Sequence, residues 1–346
     1  MKPGPAAALT SALLFGATTP IASRLLGDAS PLLVAGLLYL GSGLGLAALR
    51  AVQDGGWRSP GLARSDWRWL SVATAVGGVA APAFLMWGLT RSDAATASLL
   101  LNLEAVFTAA LAWLVFGEAT SRRVVVGFIA IFLASALLAW PSGVVASSRI
   151  AGLLGVVAAC LCWGIDNNVT RKIAGADARV IAGFKGLVAG LANTVFALSL
   201  NPRLPGALHL AEILTLGFLG YGLSLVFFIV ALRHLGTART SAYFSTGPFF
   251  GALLAIGFFG EPVGAAFYAA AGLMAIGVWL HVSEHHEHEH AHEAETHTHP
   301  HRHDEHHRHQ HAEPSDGSEP HSHEHYHEPL RHRHAHFPDI HHTHRH

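Results

Sequence analysis

Two stretches of this sequence decide its fold: Ala95–Glu118, which reads ATASLLLNLEAVFTAALAWLVFGE, and Thr240–Glu261, which reads TSAYFSTGPFFGALLAIGFFGE. Each is an apolar run of the roughly 20 residues that a helix needs to span a bilayer. Both runs end in Phe-Gly-Glu, and the two ends are 143 residues apart. Ala95 recurs as Ala238 at the same offset. The chain therefore contains an internal repeat.

The repeat extends to the start of each half. Phe15-Gly16 matches Trp163-Gly164 at an offset of 148 residues. Each half contains five predicted spans, and an odd number makes the two halves enter the membrane in opposite directions. Such inverted repeats are common in secondary transporters, which place the substrate site between the halves. The repeat is thus the strongest argument from the residues themselves for transport.

Ten apolar segments are long enough to cross a bilayer as helices, which satisfy their own backbone hydrogen bonds in lipid. Turn residues or charges separate them, as at Asn201-Pro202. The predicted spans are 6–26, 31–50, 67–89, 94–116, 123–140, 151–172, 180–200, 209–232, 238–259 and 264–281.

Composition divides the chain into a membrane body and a polar tail near residue 282. Of 346 residues, 51% are hydrophobic and 13% are charged, which is too apolar for an ordinary soluble domain. Residues 283–346 contain 24 of the 27 histidines. We therefore divide the chain into a first five-helix repeat at 1–145, a second at 146–282, and the tail at 283–346.

Loop charges predict the orientation, because cytoplasmic loops are enriched in Lys and Arg. With the N-terminus inside, inner segments hold twelve basic residues and outer loops hold four. Ten spans return the chain to its starting side. Both termini are therefore expected in the cytoplasm, and the protein in a bacterial inner membrane.

The repeated pattern resembles the EamA-type members of the drug/metabolite transporter superfamily. Ala95–Glu118 followed by Val124–Leu138, and Thr240–Glu261 followed by Ala270–Leu280, carry this resemblance. It implies ten helices in two inverted five-helix repeats and the export of small molecules across the cytoplasmic membrane. The family handles very different metabolites, so the resemblance does not identify the substrate.

Ionisable residues inside the membrane are the candidates for a transport pathway, since each costs roughly 2.5–3.5 kcal/mol to insert and needs a partner or a wet cavity. One reading is a central cavity in which Glu104 or Asp166 carries a proton and Lys185 balances charge. The other is a buried Asp166–Lys185 ion pair that serves folding. Asn102 and Asn167 lie beside these residues and complete the predicted pathway.

The tail is predicted to be disordered, because it has too few apolar residues to offset the entropy of ordering. Imidazole is a good ligand for Ni, Co, Zn and Cu, so the tail is expected to bind several exchangeable ions. No metal or other cofactor is expected to be required. The candidate ligands alternate with other residues, and they are His286, His288, His290, His297, His299, His301, His303, His321, His323, His325, His327, His332, His334, His336, His341, His342 and His344.

Three functional hypotheses remain open. The first is a secondary transporter, an exporter, linked to transition-metal homeostasis through its tail. The second is an exporter of an amino acid or other small metabolite with the tail as a metal-dependent regulator. The third is a non-transporting metal sensor or buffer anchored in the membrane. The sequence has no Walker loop and no enzymatic constellation, its acidic tail argues against nucleic-acid binding, and it leaves a homodimer open.

Overall fold

The computed structural model describes residues 3–27, 29–54, 61–116, 122–139 and 147–283 of the body. Within the tail it describes residues 287–292, 295–301, 321–327 and 330–335. The chain divides into two compact units, one containing the body up to residue 284 and the other lying within the tail.

The described part of the body contains ten helical segments, which confirms the predicted all-α membrane fold. Every observed end lies within four residues of the predicted one. In chain order, the segments are Pro3–Leu26, Pro31–Asp54, Asp66–Leu89, 94–116, Arg122–Ala139, Ser147–Arg171, Ala178–Leu200, 207–235, 237–257 and Ala265–Val282.

Eight helices in the described residues are long and apolar enough to cross a membrane. The other two segments are the fifth, Arg122–Ala139, and the ninth. The ninth begins after Gly236, whose positive φ of 73° kinks the chain, and it is broken by a turn at Ser245-Thr246. These interruptions shorten its continuous helix.

The internal repeat is visible in the irregularities of the helices. The third helix contains a π-helical turn at Thr74–Ala80, and the eighth contains one at Phe218–Leu223. The fourth helix is broken between Leu100 and Leu103, and the ninth is broken between Phe244 and Gly247, 144 residues later. Since the breaks recur within one residue of the offset found in the sequence, the two halves share their backbone distortions as well as their helices.

The two five-helix repeats interleave. The second helix packs along the seventh, the first along the eighth and ninth, the fourth along the sixth, and the fifth along the tenth. Small residues allow close approach: a Cβ on Gly186 would lie 2.5 Å from the backbone nitrogen of Gly43, and one on Gly16 would lie 2.0 Å from the carbonyl oxygen of Gly247. Glycine at such contacts is a common basis of helix packing in membranes.

Large apolar side chains cover the outside of the bundle. Leu114, Phe132, Phe258 and Trp279 are each at least 60% exposed. By contrast, Lys185 is fully buried. An apolar exterior around a polar interior is the arrangement that a lipid environment requires.

Four strands lie in the tail unit and form two antiparallel pairs: Glu287–His292 with Leu330–Ala335, and Glu295–His301 with His321–His327. Alternating sequences such as these suit strands. However, an isolated two-stranded pair is marginally stable in water. Disorder of the free tail therefore stays a prediction.

Candidate functional site

A cavity lies inside the bundle, between helices of both repeats. With its mouth it contains about 420 Å³ of space not filled by protein atoms. The residues that line it are polar or aromatic in most cases, and they are Ser11, Phe15, Tyr39, Glu104, Trp163, Asp166, Asn167, Lys185, Gly220, Tyr221, Ser224, Leu225, Phe228 and Phe244.

Asp166 and Lys185 form a buried ion pair across the sixth and seventh helices. The Lys185 Nζ donates to both carboxylate oxygens of Asp166, at 2.7 and 2.6 Å. Thr170, one turn further along the sixth helix, donates from Oγ1 to Asp166 Oδ1 at 2.9 Å. Losing one partner of such a pair leaves an uncompensated buried charge. The structure thus contains the predicted pair, and the pair also lines the cavity.

The third helix makes room for this pair at Gly77. A Cβ at that position would lie 2.0 Å from Asp166 Oδ2, so any other residue would displace the carboxylate. Gly77 belongs to the π-helical turn Thr74–Ala80. The ion pair therefore depends on a glycine in a different repeat.

The same π-helical turn leaves the Gly77 carbonyl available to side chains. Ala81 N donates to Val76 O, five residues back. In the same pattern the next hydrogen bond would run from the N–H of residue 82 to the Gly77 oxygen, but residue 82 is proline and has no N–H. The Gly77 oxygen instead accepts from the Tyr39 hydroxyl at 2.8 Å and from Trp163 Nε1 at 3.1 Å.

Glu104 is the second carboxylate of the cavity. It lies in the first turn of Leu103–Phe116, where the helix dipole favours negative charge. Asn167 Nδ2 donates to Glu104 Oε1 at 2.9 Å and to Thr108 Oγ1 at 3.1 Å. Among the described residues, no cation lies within ion-pair distance of the Glu104 carboxylate.

Asn102 does not line the cavity, although it was predicted to belong to the pathway. Its Nδ2 donates to Leu99 O at 3.1 Å and contacts Met274 Sδ at 3.7 Å, on the tenth helix. The break at residues 101–102 turns the chain, so Asn102 and Glu104 lie in different surroundings despite being two residues apart. The structure brings the other four predicted residues together.

Six aromatic side chains line the cavity, and sequence reasoning had assigned none of them to it. Phe15 is at the centre, with its ring centroid 5.4 Å from Trp163, 5.7 Å from Tyr221 and 5.3 Å from Phe244. Tyr221 in turn lies 5.1 Å from Tyr39. The repeat contained a signal for this cluster, because Phe15 and Trp163 are equivalent positions of the two halves.

Two serines close the cavity between the first and eighth helices. Ser11 Oγ donates to Ser224 O at 2.7 Å, and Ser224 Oγ donates to Ser11 O at 3.0 Å. These reciprocal bonds join helices that are 213 residues apart in the chain. They satisfy both hydroxyls without a ligand.

A second contact between the repeats lies at the end of the bundle where the first helix ends. Glu261 Oε2 accepts from Ala95 N at 2.9 Å, at the start of the fourth helix. Arg24 donates to Phe259 O at 3.0 Å and lies 4.9 Å from the centre of its ring. Glu261 therefore connects the end of the ninth segment with the start of the fourth helix.

The candidate metal ligands of the tail divide into two groups. Six of them, His286, His303, His336, His341, His342 and His344, lie outside the described residues. The others lie on the four strands, and they are His288, His290, His297, His299, His301, His321, His323, His325, His327, His332 and His334. Metal binding by the tail stays a prediction.

Comparison with known proteins identifies relatives of the whole body. The sequence model of the EamA-like transporter family matches residues 2–140 and 150–283. An uncharacterized transporter from Methanothermobacter thermautotrophicus is 25% identical over 270 residues, which cover 73% of this chain and 78% of that protein. A crystal structure that is 19% identical superposes with a TM-score of 0.63, covering 80% of this chain and 98% of the other, and shows the same fold.

Proposed function

The chain belongs to the EamA-like transporter family, and from that premise we propose that it is a secondary transporter that exports a small organic solute. The observation that supports this proposal is the lining of the cavity. Its aromatic rings and single carboxylate without a cation partner suit an organic body with a polar group. This favours the second of the three hypotheses.

A transition-metal ion is a less suitable cargo for this cavity. Such ions are bound by several nitrogen, sulfur or oxygen ligands at once. Of the two carboxylates in the lining, Asp166 is held by Lys185, which leaves Glu104. We therefore assign the link with Ni, Co, Zn or Cu to the histidine tail, which acts as a regulator at the cytoplasmic side of an inner membrane.

Solute flux into inside-out proteoliposomes tests the proposal. In that orientation export appears as accumulation. Full-length protein is given a mixture of amino acids and amines, and in parallel Ni, Co, Zn and Cu, with contents measured by mass spectrometry. We expect an organic solute to accumulate, metal ions to stay outside, and the organic flux of the full-length protein to change when metal is added.

Two tryptophan substitutions on the eighth helix connect the flux with the cavity. Leu225→Trp fills the lining and should abolish uptake, whereas Leu208→Trp, on a side chain that is 77% exposed, should not. Metal accumulation blocked by Leu225→Trp would make the metal the cargo and overturn the proposal. No flux of any solute through folded protein would favour the anchored sensor.

A further inference from the structure

The charges in the cavity sum to one negative charge when Glu104 is ionised. Asp166 and Lys185 neutralise each other through two short contacts. Glu104 accepts a hydrogen bond from the neutral amide of Asn167, which orients the carboxylate without cancelling its charge. The described lining therefore provides a site for one positive charge.

The hydrogen-bond donors of the lining point at protein acceptors. The Tyr39 hydroxyl and Trp163 Nε1 both donate to Gly77 O. Both N–H groups of the Asn167 amide are engaged, by Glu104 and Thr108. Ser11 and Ser224 bond each other, as described above. Among the side-chain donors of the described lining residues, this leaves the Tyr221 hydroxyl, which accepts as readily as it donates, and the third N–H of the Lys185 ammonium, whose charge is balanced by Asp166.

Because most of these donors are bonded within the protein, the aromatic rings are the main surface that a ligand would contact. The rings of Phe15, Tyr221, Phe244 and Phe228 form a continuous chain with centroids 5.0–5.7 Å apart. Aromatic faces attract organic cations within about 6 Å of the ring centre, and the attraction is stronger where water is excluded. They offer nothing comparable to an anion.

We propose that the cavity selects a monovalent organic cation, an amine with an aromatic or apolar body, with Glu104 as its counter-charge. This deepens the proposed transport function and rests on it. An anion or the carboxylate of a zwitterionic amino acid would need a cation, and it would have to compete with Asp166 for Lys185, the cation of the described lining. The cavity therefore selects its ligand by charge more than by shape.

Four probes that share a phenyl ring separate charge from shape. They are phenethylamine as the cation, phenethyl alcohol as the neutral analogue, 3-phenylpropionate as the anion, and phenylalanine as the zwitterion. Binding to the full-length protein in lipid nanodiscs is measured at neutral pH by calorimetry and by quenching of tryptophan fluorescence. We expect phenethylamine to bind at least tenfold more tightly than the other three.

Two substitutions locate the source of the preference. Glu104→Gln should lower the affinity for phenethylamine at least tenfold and leave the affinity for phenethyl alcohol unchanged, because the amide keeps the shape of the side chain and loses its charge. Phe228→Ala should lower the affinity for both of these probes. Glu212→Gln is the matched control, since this carboxylate is half-exposed near the start of the eighth helix, and it should change neither. Thermal unfolding of each variant confirms that it is folded.

Three outcomes would overturn the inference. Phenylalanine could bind as tightly as phenethylamine or more tightly, or 3-phenylpropionate could bind more tightly than phenethylamine. Glu104→Gln could also lower the affinity for all four probes equally. Its failure is separable from that of the proposed function. Glu104-dependent binding of phenethylamine without any flux would retain the cation site and reject transport. Flux of phenylalanine that Leu225→Trp blocks, with no preference for the amine, would retain transport and reject the cation site.

Discussion

The ion pair of Asp166 and Lys185 is the residue-scale feature on which the cavity depends. Both side chains are almost completely buried, in a position where either charge alone is costly. Gly77 on the third helix provides the space for the carboxylate. Stability and the lining of the cavity are therefore set by the same atoms.

Neutralising one member of the pair should destabilise the protein more than neutralising both. Asp166→Asn and Lys185→Met should each lower the free energy of unfolding by about 3–5 kcal/mol, because each leaves a lone buried charge. The double variant should recover a large part of that loss. Unfolding in nanodiscs measures this, and losses that simply add would show that the two side chains do not act as a pair.

Gly77→Ala should destabilise the protein by several kcal/mol, because a Cβ would overlap Asp166 Oδ2 and separate it from Lys185. The matched control is Gly272→Ala in the tenth helix, where nothing lies within 4 Å of the added Cβ. The control should be neutral or stabilising by up to about 1 kcal/mol. Equal unfolding temperatures for the two variants would contradict this account.

Sequence reasoning found the charged part of the site, since Glu104, Asp166 and Lys185 each stand out against an apolar helix. It also included Asn102, which does not line this cavity, because a break in a helix cannot be read from apolar residues alone. The six aromatic residues were not assigned to the site for a related reason: Phe, Tyr and Trp are ordinary in any membrane span, and their convergence depends on packing between repeats. The transport roles of all these residues stay predictions.

At the scale of elements, the π-helical turn in the third helix explains how one residue type, proline, affects the position of side chains that line the cavity. Pro82 lacks the N–H that would otherwise occupy Gly77 O, and so Tyr39 and Trp163 can bind there. The eighth helix has Leu225 at the equivalent position and no proline. The two repeats are thus similar in backbone but differ in how they position side chains.

Pro82→Ala should disturb the cavity without unfolding the protein. The new N–H competes for the Gly77 oxygen, and each displaced side chain loses a hydrogen bond worth about 1 kcal/mol. Binding of the transported solute should weaken by roughly fivefold to tenfold, while the unfolding temperature stays equal or rises. Pro248→Ala, in the ninth helix, is the control, and an unchanged affinity in Pro82→Ala would contradict the assignment.

Arg179 forms two ion pairs near the predicted cytoplasmic side, one with the second helix and one with the N-cap of its own, seventh helix. Arg179 contacts Asp54 at 2.9 Å and Asp177 at 2.8 Å. Partial burial opposes the ionisation of Asp177, but the hydrogen bonds from Arg179 outweigh it and lower the pKa of this carboxyl. A carboxyl with a lowered pKa stabilises the fold above its unfolded pKa of about 3.9 and loses that effect as the pH falls through its folded value.

Asp177→Asn tests this contribution while retaining an N-cap residue for the seventh helix. At neutral pH the variant should be less stable by about 0.5–1 kcal/mol, a modest value because solvent screens the partly exposed pair. The difference should shrink below about pH 4, as the wild-type carboxyl becomes protonated. Unfolding curves across pH measure it, and a difference that grows in acid would reverse the assigned sign.

On the scale of the whole molecule, a membrane body is followed by a histidine-rich tail. The order of the helices followed from apolar runs and the internal repeat, which are properties of the sequence alone. Which helices pair across the repeats did not follow, because close contacts such as Gly43 with Gly186 depend on shape. The strands of the tail were not predicted.

Metal binding should reside in the tail and should weaken in acid. Equilibrium dialysis of Zn or Ni against full-length protein should show several bound ions, and the form containing residues 1–282 should show almost none. Protonation competes with the metal, so lowering the pH one unit below the ordinary histidine pKa of about 6.5 should reduce affinity roughly tenfold for each coordinating histidine. A full-length control with asparagine in place of the tail histidines should match the truncated form.

The reciprocal bonds between Ser11 and Ser224 have a consequence for biosynthesis. The first helix enters the membrane early in translation, yet its partner emerges from the ribosome 213 residues later. During that interval the Ser11 side of the first helix lacks its partner and must be protected by the insertion machinery. A chain that stops after the first repeat would expose the same surface to quality-control proteases, so production of this protein should be all or none.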